Sequence, residues 1–316
     1  MIGISLAYLP GNDFHEVSQT YFRLQDEFSL EACELHMECS QFAAAFHQAD
    51  DRVLKDVREI RSRVKIMGVH LPYLDLNPLA GIPRVAEFAM HIYKEAIQTA
   101  ASLQSDYVVF HARGGNELLA GASAADKRQS ELSRWQQITA ELSEYALAKG
   151  LSFCLENADD MRLITEIETI LAASPNVSLC LDTGHLFERV YPEAAWQRLA
   201  GKIADRFLPP ASLWGQGVPY YETNWEELLH RYLSRLRCIH LHNHNGKIAH
   251  CPVTQGKIDL KKMLAPVKKL ADIPLILEAV YRRGGISQVQ SDLEYLTQTR
   301  GRFSCLRSPG DKIGRA

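Results

Sequence analysis

The chain lacks any run of about eighteen apolar residues, the least that a membrane-spanning helix needs, so no segment is expected to cross a bilayer. Its start, MIGISLAYLPGND, has neither the basic stretch nor the apolar core of a secretory leader. It also lacks an excess of positive charge. The 35 Lys and Arg stand against 38 Asp and Glu, a net charge of −3, which leaves no overall footprint for nucleic acid or an anionic membrane surface. No CxxC pair occurs, and the 7 cysteines are odd in number. Several of them, such as Cys154 and Cys180, sit inside apolar runs. They are expected to be reduced, buried thiols of a cytoplasmic protein rather than a disulfide framework. No glycine-rich turn follows the first apolar run, which removes the usual signature of a doubly wound dinucleotide-binding sheet.

What is present is an alternation of short apolar runs with longer amphipathic stretches. The runs cover 1–7, 31–37, 65–71, 107–112, 151–157, 177–182, 237–242 and 274–280. Each has the length and near-continuous apolar character of a parallel strand buried on both faces. Helical periodicity is clear over 85–103 and 132–150, the second stopping on Gly150, and further helices are expected over 224–236 and 261–271. Eight strands alternating with helices predict a single-domain (β/α)8 barrel spanning 1–298. Residues 187–223, rich in Pro, Gly and aromatics, form an overlong insertion after the sixth strand, either a lid or an extra packed piece. The polar stretch 299–316 is expected to be a loose tail.

Polar residues recur at one end of these runs: His70, His111, Glu156, Asp182, His240 and Glu278. An ionisable group buried in an apolar strand costs several kcal/mol unless it is paired or bound to metal. At the C-terminal ends of barrel strands the six converge on one mouth, where barrel active sites lie. Imidazole and carboxylate without thiolate suit a hard or borderline divalent ion. His185, three residues after Asp182, and His250, beyond the seventh run, fit the same centre. His242 shares the parity of His240 and is a further candidate.

In order and spacing, the motifs GVHLPY, VFHARGG, CLENAD, CLDTGHL, CIHLHNHNG, HCPVTQGKID and LILEA resemble the xylose-isomerase-like TIM barrel superfamily. That group takes in sugar phosphate isomerases and epimerases and the endonuclease IV-like AP endonuclease family 2. The resemblance implies a four-ligand metal site of Glu156, Asp182, His240 and Glu278, with both glutamates as acid/base groups. It implies that His70, His111, His185 and His250 match the extra ligands of the multi-metal hydrolase branch, where Glu156 would bridge two ions. Glu34, in CELHM and on one strand face with His36, falls where many relatives place a carboxylate towards the substrate, a salt bridge at the barrel rim being the alternative. Arg113 with Gly114 and Gly115 either grips an anionic group or lies on the surface. Trp214, with Tyr220 and Tyr221, either walls the substrate or packs the insertion. His185 and His242 are candidates for holding a substrate hydroxyl.

Departures from the hydrolase pattern are Ile248 in place of an Asp ligand, Thr254-Gln255-Gly256 in place of Gly-x-Gly, Ala112-Arg113 in place of Pro-Gly, and Asn243 in place of Asp. A third ion would then keep only His185 and His250. The first expectation is a sugar or sugar-phosphate isomerase/epimerase using zinc, manganese or cobalt and proton transfer between carboxylates. The second is a two-metal hydrolase of a small, cobamide-type phosphodiester, with DNA disfavoured by the charge balance. One ion favours the former, and two bridged by Glu156 the latter. Relatives often pair, which leaves a homodimer open.

Overall fold

In a computed structural model, the chain is described over residues 1–38, 51–112, 124–157, 164–172, 174–185, 189–190, 218–219, 233–245, 249–264, 272–281 and 285–304. The strands are β1 Ile2–Ser5, β2 Ala32–His36, β3 Ile66–His70, β4 Tyr107–Phe110, β5 Ser152–Glu156, β6 Val177–Asp182, β7 Arg189–Val190, β8 Val218–Pro219, β9 Leu236–Leu241 and β10 Leu275–Leu277. The helices are α1 Phe14–Phe28, α2 Asp51–Arg63, α3 Pro83–Ser102, α4 Ala124–Ala148, α5 Ile164–Ala172, α6 Leu260–Leu264 and α7 Gly285–Ser304.

Eight strands close into a barrel in the order β1-β10-β9-β6-β5-β4-β3-β2, every pairing parallel. The expected (β/α)8 architecture is therefore the one observed. Each apolar run became a barrel strand because both its faces are buried. Phe153 and Leu155 turn outward into the main core with Phe110 and Trp135, while Cys154 turns inward to Cys180 and Cys238. All three inward thiols are buried and free, as the sequence led one to expect. By strand parity the residue two places on from each of these cysteines also points inward, and these are Glu156, Asp182 and His240. The polar layer is thus the top of the same inward face.

The helix after 124 begins earlier than its periodicity suggested and ends before Gly150, which takes the left-handed φ of +78° that a helix stop requires. Of the helix expected over 224–236, only 233–235 is described, as a 3-10 turn, and Leu236 already belongs to β9. The helix expected over 261–271 is seen as α6, with 265–271 outside the described residues. Within the insertion after β6, β7 and β8 pair antiparallel as a two-stranded ribbon. The last helix continues to Ser304, into the stretch read as tail. Among the described residues no helix is long and apolar enough to cross a membrane.

One residue ties the sixth and seventh barrel strands to a helix. Arg235 donates through Nε to the Val177 carbonyl at 2.9 Å and through Nη1 to the Leu171 carbonyl at 2.9 Å, joining the start of β9, the start of β6 and the end of α5. Replacing it by Met keeps the stem but removes these charge-assisted bonds, and is expected to lower the unfolding free energy by about 2–3 kcal/mol in urea titration. A change within about 0.5 kcal/mol would show that the clasp is not a stability element.

Candidate metal centre at the barrel mouth

Glu156 and Asp182 are the last residues of β5 and β6, His240 lies near the end of β9, and Glu278 directly follows β10. The structure brings all four together. One ligand atom from each lies within 4.8 Å of the others, and all four residues are buried. His70, His111 and Glu156 form a second such group. Glu156 belongs to both. Its Oε2 is 2.9 Å from His111 Nε2, 3.4 Å from His70 Nε2 and 3.2 Å from His240 Nδ1. His240 Nδ1 is also 3.0 Å from Glu278 Oε2.

Charge explains why these groups are tolerated in the core. Burial alone would push the Glu156 carboxyl up, but His111 and His240 outweigh it and hold it well below the ordinary range. Glu278 is likewise pulled well down against its burial, by His240 and then His36. Asp182 is lowered against burial by His185 and His242. His240 is raised well above an ordinary histidine despite its burial, by Cys180, Glu278, Glu34 and Glu156. Cys180 is itself pushed towards the thiol by burial, so the three carboxylates carry that effect.

Hydrogen bonds fix which nitrogen each histidine offers. His70 Nδ1 donates to the Leu71 carbonyl at 2.9 Å, and His250 Nδ1 donates to the Glu278 carbonyl at 3.0 Å. With Nδ1 so occupied, each ring turns its Nε2 outward, the arrangement by which backbone carbonyls set a metal-binding imidazole. His70 Nε2 then faces His111 Nε2 at 3.1 Å.

His242 is set the other way. Its Nδ1 accepts the His250 backbone N–H at 2.8 Å, so its Nε2 carries the proton, 2.9 Å from each Asp182 oxygen. Both nitrogens are engaged. Gly184 makes room for this ring, which a Cβ there would meet at 1.9 Å. His185, His242 and His250 cluster within 4.8 Å, and within that cluster His242 serves Asp182.

The donor set fits a divalent cation. Glu156 Oε2 and His240 Nδ1 are buried and make no hydrogen bond, although they are 3.2 Å apart in the middle of the cluster. A carboxylate oxygen and an imidazole nitrogen buried together, with ionic neighbours but no hydrogen bond, are atoms that a bound ion would satisfy.

Glu34 has a fully buried side chain against His240, with Tyr107 donating to its Oε2 at 2.9 Å, and it groups with His36 and Glu278. Arg113, Trp214, Tyr220, Tyr221 and Ile248 lie outside the described residues. His36 is the residue whose part the sequence did not single out. Its Nε2 is 2.8 Å from Glu278 Oε1, and its ring stacks on His70 at 4.1 Å. The signal was there, since His36 closes the β2 run as His70 closes β3, and the two are register partners. Tyr8 and Tyr73 add rings against His250 and His111, and the Asn157 side chain bonds the Asp182 backbone in both directions, at 2.7 and 2.9 Å.

The comparisons with known proteins agree with this architecture. The "uncharacterized protein MJ1311" of Methanocaldococcus jannaschii is 25% identical over 262 residues, 79% of this chain and 77% of that one. A D-tagatose 3-epimerase-like protein shares the fold at a TM-score of 0.66 and 19% identity, over 96% of this chain and 98% of its own. The TTHB071 protein of Thermus thermophilus, solved after soaking with ZnCl2, does so at 0.61 and 18%, over 95% and 98%. Residues 23–299 match the family described as Xylose isomerase-like TIM barrel, and the chain belongs to that family.

Proposed function

We propose that the barrel mouth holds two divalent ions sharing Glu156, and that the chain is a metal-dependent hydrolase of a small phosphodiester. The observation that carries this reading is the position of one atom. Glu156 Oε2 faces His70 and His111 on one side and His240 on the other. An enzyme using a single ion in the set Glu156, Asp182, His240 and Glu278 has no need of two further histidines on the same oxygen. When bound, a pair of ions supplies a water made nucleophilic near neutral pH and a clamp on phosphoryl oxygens.

The chain's own residues do the rest. Glu156 holds the two halves of the centre at a fixed spacing. His36 keeps Glu278 turned inward, and His242 with Asn157 keeps Asp182 in place. His185 hangs 3.8 Å from Glu156 Oε1, beside the centre, where a substrate oxygen can meet it. The net charge of −3 argues for a small substrate rather than DNA.

A second reading, sugar or sugar-phosphate isomerase/epimerase, is favoured by a different observation. Two carboxylates, Glu156 and Glu278, stand against the same His240 nitrogen at 3.2 and 3.0 Å. With one ion in the four-residue set polarising neighbouring oxygens, this pair would take a proton from one carbon or face and return it to another. The likeness to an epimerase-like protein supports the scaffold for either chemistry.

Ion counting separates the two. Elemental analysis of the purified chain is expected to give two ions, falling to one in His70→Ala and in His111→Ala, with loss of bis(4-nitrophenyl) phosphate hydrolysis. One ion in the parent chain, with exchange of ketose carbon-bound hydrogen for solvent deuterium, would establish the epimerase reading instead. Glu156→Gln is expected to reduce turnover by at least about 100-fold in either case, because it removes charge from the shared ligand.

Ion uptake is also expected to release protons. In the ion-free chain His240 has a raised pKa, so it is charged at neutral pH and must lose a proton before Nδ1 can ligate. Affinity therefore rises with pH through the His240 titration. Zinc titration in weak buffer with a pH indicator should show acidification, and no proton release near neutral pH would contradict the assignment of His240.

A further inference from the structure

We propose that Glu34 is a positioning residue for His240, held in place by Tyr107 across Gly68, and that this three-strand device presents His240 Nδ1 to the ion. The inference rests on the metal reading above and extends it below the ring of ligands.

Glu34 is fully buried, which a carboxylate tolerates only with strong partners. It has two. His240 Nε2 lies 3.1 Å from each Glu34 oxygen, and the Tyr107 hydroxyl donates to Oε2 at 2.9 Å. A carboxylate accepts only, so the His240 nitrogen facing it carries a proton. That fixes the opposite nitrogen, Nδ1, as the one turned towards Glu156 and Glu278, and Nδ1 makes no hydrogen bond. A carboxylate behind an imidazole fixes ring orientation and makes the ring a better donor.

The arrangement is built across the sheet. Glu34 on β2 is the register partner of Gly68 on β3, and Gly68 of Tyr107 on β4. Tyr107 reaches Glu34 by laying its ring over Gly68. A Cβ at position 68 would meet that ring at 2.2 Å and its hydroxyl at 2.5 Å. No side chain at position 68 could coexist with this path, which gives the glycine of GVHLPY a reason independent of backbone conformation.

The test uses the full chain and zinc or cobalt(II) as the probe. Chelator competition is expected to show zinc bound about 10–100-fold more weakly in Glu34→Ala, with a smaller loss in Glu34→Gln, which keeps an acceptor but not the charge. Tyr107→Phe should give a loss of a few-fold and leave every proposed ligand untouched. The cobalt(II) visible spectrum is expected to change in Glu34→Ala and to be restored towards the parent in Glu34→Gln. A role only in folding would lower thermal stability and leave the spectrum of the folded fraction unchanged. If Glu34→Ala does not fold, Glu34→Gln and Tyr107→Phe decide by the same readouts. Unchanged affinity and spectrum in the variants, with the parent chain binding normally, would overturn the positioning role alone. A parent chain that takes up neither ion would overturn the metal reading and this inference with it.

Discussion

The structure depends on how a buried carboxylate, Glu156, is compensated. It is 1% exposed, at the end of a strand whose preceding inward residue is a cysteine, and among the described residues its ionic partners are all histidines, with no Lys or Arg. Histidine charge near neutral pH is conditional. A permanent cationic side chain would have made a salt bridge and closed the question. Histidines instead give a site that is held together by protons, which the proposed ions would displace.

The supporting layer makes this specific. Carbonyls of Leu71 and Glu278 turn the Nε2 atoms of His70 and His250 outward. The His250 N–H, acting on His242, turns the neighbouring ring towards Asp182 instead. Two histidines in the same cluster thus acquire opposite duties from one backbone segment. His250 itself sits at a φ of +54°, a left-handed conformation uncommon outside glycine, and its backbone N–H and side chain are both used there. The strain of about 1–3 kcal/mol that such a residue carries is offset by those contacts.

Much of this was legible in the sequence because barrels convert one-dimensional order into a ring. Strands that are buried on both faces stay apolar until the layer that must be polar, so Glu156, Asp182, His240 and Glu278 announced themselves against SFCL, SLCL, RCI and LIL. Helices α1, α2, α5 and α7 were not picked out, α2 because DRVLKDVREIRSR carries only Val53, Leu54, Val57 and Ile60 as a narrow apolar stripe. Depth along the barrel was harder still. Parity says that Glu34, His36, His240 and His242 point inward but not how far down each lies. That Glu34 backs onto His240 Nε2 is a contact that parity alone does not reveal. The choice between His240 and His242 likewise needed the His250 N–H, a contact no spacing reveals.

The four-residue set points to an isomerase or epimerase, and the two-ion reading proposed above takes its support from His70 and His111, which face the same Glu156 oxygen as His240. The most direct test is anomalous diffraction from crystals of the zinc-loaded chain, recorded at the zinc edge. Two peaks on either side of the Glu156 carboxylate, one against His70 and His111 and the other against Asp182, His240 and Glu278, are what a shared ligand predicts. A single peak within the four-residue set, with His70 and His111 bound to nothing but each other, would contradict it.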